Sequence, residues 1–107
     1  MLTVNEHQEK GYIFELKSES GHTLLKSIPF PNRKTAIDSA KGLNRLVEKS
    51  TNFERKTNHD GQFLFNFKNA EGSLIGRSQL YNSEAGMENG IKNLTVRVHV
   101  LIANKHL

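Results

Sequence analysis

Four basic residues stand at matched places in the two halves of this chain. Lys17 recurs as Lys68 and Lys26 as Arg77, each pair about fifty residues apart. Duplicated positions of this kind could each hold an anion, because a charged donor facing an oxyanion makes the shorter and stronger class of hydrogen bond. Lysines at strand ends also keep sheets soluble and discourage edge pairing, and that plainer use is the favoured one. Lys17, Lys26, Lys68 and Arg77 are therefore the candidate anion-binding positions. No residue is assigned to catalysis, to a cofactor or to a metal.

Other reactive residues form no constellation. The histidines are His7, His22, His59, His99 and His106. None has an i,i+4 histidine partner or a carboxylate cluster at ligand spacing. His59 beside Asp60 reads as a solvated turn, and Ser20 near His22 carries no signature. Glu84 and Glu88 share a helix face, but paired carboxylates do acid–base work only where burial separates their proton affinities. No G-x-S-x-G elbow is present, and Gly72 to Gly76 lacks the Gly-Lys-Ser/Thr ending of a phosphate loop. Cysteine is absent, which removes disulfides, thiol catalysis and thiolate metal sites together. No cofactor is expected.

One stretch could bind bases. Asp60-Gly61-Gln62-Phe63-Leu64-Phe65-Asn66-Phe67 partly echoes the aromatic strand of RNA-recognition domains, whose exposed rings stack on nucleotides. The basic and second small residues of that pattern are missing, and so is the βαββαβ order. Tyr12, Phe14 and Leu16 occupy the equivalent places in the first half, where core packing explains them. Core packing is the reading favoured for both.

The elements that must position these residues follow from periodicity. Leu2 to Asn5 is a strand and residues 6–10 a polar turn. Tyr12, Phe14 and Leu16 alternate as in a half-buried strand, Ser20-Gly21 turns the chain, and Thr23 to Ile28 is a third strand. Pro29 and Pro31 stop it, since proline cannot donate to a ladder. Asn32 caps a helix whose apolar stripe is Ala36, Ala40, Leu43 and Val47, with Ile37 and Leu46 beside it. Ser50-Thr51-Asn52 links to a second unit: strands from Phe53 to Lys56, Phe63 to Phe67 and Leu74 to Leu80, with Asp60-Gly61 in the first turn. Ser83 caps a helix with apolar Met87, Ile91 and Leu94. Gly86 and Gly90 inside that helix each cost close to ~1 kcal/mol against alanine, so close backbone approach to the sheet is expected there. Val96, Val98, Val100 and Ile102 then alternate with Arg97, His99 and Leu101, which predicts a β-branched terminal strand.

Set beneath one another, the halves agree in register. Phe14 falls on Phe65, Gly21 on Gly72, Ser27 on Ser78, Lys41 on Lys92 and Leu43 on Leu94, with one extra residue placed in the first turn of the second half. The predicted fold is α+β. Two tandem βββα repeats (2–50 and 53–94) share a mostly antiparallel sheet with helices on one side, and an extra C-terminal strand spans 95–103. The whole of 1–107 is one domain.

Residues 60–91, DGQFLFNFKNAEGSLIGRSQLYNSEAGMENGI, also resemble the repeat of the YegP-like family (UPF0339, DUF1508), small bacterial proteins without assigned function. The aromatic strand ending in Lys68, the Gly72 turn, Ser78, Tyr81 and the Gly90-Ile91 pair carry the resemblance. It implies a unit of three strands plus a helix, occurring singly or in tandem, and single-copy members that tend to pair. Repeat one departs from it at Phe30 and Ser39-Ala40. The resemblance implies no catalytic residue.

Charge sets the range of partners. Fifteen Lys and Arg against eleven Asp and Glu give +4, which suits nucleic acid or acidic surfaces, but the two signs are interleaved along the chain. No apolar run approaches the ~20 residues of a membrane span, and the first residues show no apolar signal core. A cytoplasmic protein follows, not an enzyme, acting as a small interaction module. Its partner is unknown, the terminal strand leaves room for a homodimer, and nucleic-acid or anion binding is the alternative.

Overall fold

The computed structural model describes residues 2–7 and 11–104. Its elements run β1 (Leu2–His7), β2 (Gly11–Lys17), β3 (Thr23–Ser27), α1 (Arg33–Lys41), α2 (Leu43–Leu46), a single 3-10 turn (Ser50–Asn52), β4 (Phe53–Thr57), β5 (Phe63–Lys68), β6 (Leu74–Arg77) and α3 (Glu84–Ala103). Residues 8–10 of the turn expected over 6–10 lie outside the described residues.

The six strands form one sheet in the order β1-β2-β3-β6-β5-β4, and every pairing between them is antiparallel. Strand period two divides the side chains between the faces. On one face Phe14, Leu16, Leu25, Phe53, Phe65 and Phe67 join Ala40, Leu43 and Val47 from the first helical segment and Met87, Leu94, Val98 and Leu101 from α3 in a single core cluster. The helices lie over that face, α1 against β1 and β2 and α3 against β3 and β5. Burial of Phe14, Leu16, Phe65 and Phe67 is complete, and each such side chain contributes ~1.5–3 kcal/mol relative to exposure.

Local chemistry explains the boundaries. Asn32 accepts from the backbone N–H of Thr35 at 2.9 Å and Thr35 Oγ1 lies 3.4 Å from the Asn32 N–H, closing a reciprocal cap. Ser83 Oγ accepts from Gly86 N–H at 3.0 Å. Asn58 Oδ1 accepts from the N–H groups of Asp60 and Gln62, and Gly61 takes a φ of +78° that a side chain would resist. The two halves keep matching registers, Leu2 opposite Leu16 and Phe53 opposite Phe67, so the extra turn residue expected in the second half does not exist.

The terminal strand expected over 95–103 is a correction. Those residues continue α3, which runs twenty residues from Glu84, about 30 Å at 1.5 Å per residue. Buried Met87, Leu94, Val98 and Leu101 recur at helical spacing, whereas Val96 and Val100, strand partners of Val98 in the alternating reading, are 54% and 38% exposed. Packing against the sheet outweighs the weak helix propensity of β-branched residues, a few tenths of a kcal/mol each. The first helical segment instead breaks at Gly42.

Candidate functional site

The helix-free face of the sheet collects the polar members of each strand. One register row runs straight across it: Thr3 opposite Glu15, Glu15 opposite Lys26, Lys26 opposite Arg77, Arg77 opposite Asn66 and Asn66 opposite Glu54. Lys26 and Arg77 therefore face one another at the β3–β6 seam, where the two halves of the chain meet. Like charges directly opposite in an antiparallel pair are destabilising.

Neither seam cation has a carboxylate partner among the described residues. Arg77 Nε donates to Asn66 Oδ1 at 3.2 Å, which orients the guanidinium and leaves its terminal nitrogens uncommitted. The nearest acids are engaged elsewhere. Glu15 accepts from Thr23 Oγ1 at 2.5 Å, and Glu54 accepts from Asn66 at 3.1 Å and meets Lys68 Nζ at 3.1 Å. The hydrogen bond from Asn66, then that from Lys68, holds the Glu54 carboxyl below the usual range.

The four predicted positions thus divide. Structure brings Lys26 and Arg77 together. Lys68 sits two residues along β5 from Asn66 on the same face but is paired with Glu54. Lys17 lies two residues from Glu15 on β2, opposite Thr23 and half-buried. Sequence alone could match Lys26 with Arg77 but not their adjacency, which depends on β3 pairing with β6.

A groove of about 370 Å³ opens at the seam, lined by Lys26, Ser27, Ile28, Pro29, Leu74, Gly76, Arg77 and Ser78. Its hydroxyls are occupied. Ser27 Oγ accepts from Phe14 N–H at 2.8 Å and donates to the Ile28 carbonyl at 2.9 Å; Ser78 Oγ repeats this with Phe65 N–H at 2.9 Å and the Gln79 carbonyl at 2.7 Å. Gly76 permits the close seam, since a β-carbon there would stand 2.6 Å from the Lys26 carbonyl oxygen.

Two other grooves offer less. One of about 200 Å³ beside α3 has Arg97 as its cation, within 3.5 Å of Glu19. Another of about 230 Å³ holds Arg55, which grips Glu88 with two nitrogens, and Lys56, 3.7 Å from Glu54. The aromatic strand is no stacking platform: Phe65 and Phe67 are fully buried and Phe63 packs against the core. Among the described residues no three His, Asp or Glu side chains gather to hold a metal ion. His59 and Asp60 are exposed and 3.8 Å apart. His106 and the His7 side chain lie outside the described residues. Among the described residues no helix is long and apolar enough to cross a membrane.

Residues 58–98 match the domain of unknown function DUF1508. The chain is 28% identical over 93 residues to the UPF0339 protein YegP of Escherichia coli O6:H1, covering 87% of this chain and 84% of that protein. A UPF0339 protein encoded in the 5' region of the ptx operon of Stutzerimonas stutzeri is 27% identical over 76% of this chain and 73% of its own length. The solution structure of E. coli YegP, a protein of unknown function, superposes with a TM-score of 0.83 at 26% identity, covering 91% of this chain and 84% of that one. A UPF0339 protein from Shewanella oneidensis shares the fold at the same TM-score and 23% identity, over 91% and 82%. The resemblance to YegP-like proteins read from the sequence is borne out, and these relatives are uncharacterised in function.

Proposed function

We propose that this YegP-like chain is a small non-enzymatic interaction module, one domain built from two tandem βββα units, which binds its partner on the helix-free face of the sheet. The observation that carries the reading is the cross-strand pair Lys26 and Arg77, two cations side by side without a carboxylate partner among the described residues. A surface selected for folding alone gains nothing from that arrangement. Lys17 and Lys68 flank the pair on β2 and β5, with Lys68 held by Glu54. Repeated hydrogen bonds and bridges support the tandem reading. Phe14 and Phe65 donate to Ser27 and Ser78, and Tyr12 and Phe63 bridge to Phe30 and Tyr81.

A homodimer joined through residues 95–103 loses its basis, because those residues are helical and packed on the core. Nucleic acid is the weaker partner: Phe63, Phe65 and Phe67 are packed in or against the core and offer no stacking platform, and a strand laid along the register row would meet Glu15 and Glu54. A cytoplasmic setting remains part of the reading.

Affinity capture from bacterial extract, read by mass spectrometry of bound proteins and small molecules, tests it. The double reversal Lys26→Glu with Arg77→Glu should lose the species bound by the wild type. Lys34→Glu with Lys41→Glu on α1, the same change in net charge, should retain it. Loss from the α1 variant alone, or no species bound to the wild type, would overturn the reading.

A further inference from the structure

We infer that the seam groove takes a small aliphatic carboxylate, its charged end on Arg77 and Lys26 and its apolar body on Leu74, Ile28 and Pro29. This rests on the helix-free face being the binding surface and names the ligand that the face recognises.

Donor supply selects the headgroup. Arg77 has its Nε committed to Asn66, so its two terminal nitrogens and the Lys26 ammonium are what the groove can offer. Planar guanidinium matches the paired oxygens of a carboxylate, and equally two oxygens of a phosphate, so the surrounding donors decide. A phosphate presents three acceptor oxygens and is usually met by a nest of backbone N–H groups or a helix N-terminus. Neither lines this groove: the positive-φ glycines are Gly11, Gly21, Gly61 and Gly72, and none belongs to it. The hydroxyls of Ser27 and Ser78 already donate to main-chain carbonyls, so they add no donor.

The rest of the lining selects the body. Leu74, Ile28, Pro29 and the bare Gly76 make an apolar floor beside the cations. Leu74 shares the face of Lys68, its cross-strand partner. About 370 Å³ lies at the low end of the ~300–1,000 Å³ typical of small-ligand sites. Flanking acids Glu15 and Glu54 in the same row would repel a longer polyanion, which limits the ligand to one charged end.

The test is an amide NMR titration of the full chain with octanoate, with acetate, inorganic phosphate and a short single-stranded oligonucleotide as parallel arms. Octanoate should give saturable shifts centred on Lys26, Leu74, Gly76 and Arg77. Arg77→Gln should weaken it at least tenfold. Lys26→Gln, which breaks no hydrogen bond present in the structure, should weaken it several-fold while leaving the remaining spectrum intact. Acetate binding as tightly as octanoate would overturn the role of the apolar floor, and preferential binding of phosphate or oligonucleotide would overturn the carboxylate. Absence of octanoate shifts at the seam would overturn the inference outright. Capture that still depends on Lys26 and Arg77 would then leave the wider reading of the face standing, whereas capture indifferent to them would remove both.

Discussion

The phenol ring of Tyr81 occupies the space that a β-carbon at Gly90 would fill. A side chain there would overlap both its hydroxyl and its ring, while Gly86, one turn earlier, lies against the same ring's edge. The two glycines of α3 form a slot, and the aromatic residue after β6 lies in it. Backbone bonding at 2.7 and 2.8 Å between Tyr81 and Phe63 fixes the ring's position from the other side.

Gly90→Ala should therefore destabilise the fold by about 1–2 kcal/mol. The gain in helix propensity, close to ~1 kcal/mol, is outweighed by overpacking of ~1–3 kcal/mol together with the displaced ring's lost contacts. Denaturant unfolding of Gly90→Ala, Tyr81→Ala and the double variant measures it. A favourable coupling of at least ~0.5 kcal/mol is expected, because with the ring gone the alanine has room. Additive losses would place the ring elsewhere.

The C-terminal half of α3 yields a test that separates helix from strand. Val96→Ala, at a half-exposed position, should leave stability unchanged or raise it by a few tenths of a kcal/mol, because alanine is the better helix former. In a strand the same change would lower it. Val98→Ala, fully buried, should cost about 1–3 kcal/mol. Thermal or urea unfolding distinguishes the two, and a loss at Val96 as large as that at Val98 would contradict the helix.

Much of this architecture is legible in the residues. The alternating Phe14/Leu16 and Phe65/Phe67, the turn glycines, and the caps Asn32 and Ser83 each act through neighbours close in sequence. What misleads is Val96 to Ile102, where β-branched residues fall at every second position although the buried set Leu94, Val98 and Leu101 keeps helical spacing. Both periods are present, and the choice is made by a sheet face that lies far away in sequence. The Gly86/Gly90 slot is legible as a need for close approach; its occupant, Tyr81, is not. The seam pair is hidden for the same reason, since matching Lys26 with Arg77 along the sequence says nothing about which strands adjoin.

Acid should erode stability in part through Glu88. Arg55 donates to it, at 2.9 Å from Nη2 to Oε1, and this bond holds the carboxyl below its ordinary range near about 4.3. A depressed folded value means the contribution is fully present above the unfolded value and is lost as pH falls through the folded one. Both side chains are over two-fifths exposed, so solvent screening limits the effect to under ~1 kcal/mol. Urea midpoints for the wild type and Glu88→Gln should differ most at neutral pH and converge as pH falls through the depressed folded value. A constant gap across that range would assign the loss to packing instead.

Lys26→Gln should make the protein more stable, not less. Its ammonium faces Arg77 across the seam, and cross-strand like charges cost ~0.2–1 kcal/mol relative to neutral pairs. No hydrogen bond or ion pair of Lys26 is given up in exchange among the described residues. Salt should shrink the gain, since screening weakens the repulsion in the wild type, and Arg77→Gln should gain less because it also severs the bond to Asn66. Urea unfolding of the three proteins at low and high salt reads this directly. A stabilised Lys26→Gln that also binds octanoate more weakly would mean that the repulsion is kept for the ligand's sake. A destabilised one would mean that Lys26 supports the sheet, and the case for a binding face at the seam would lose its footing.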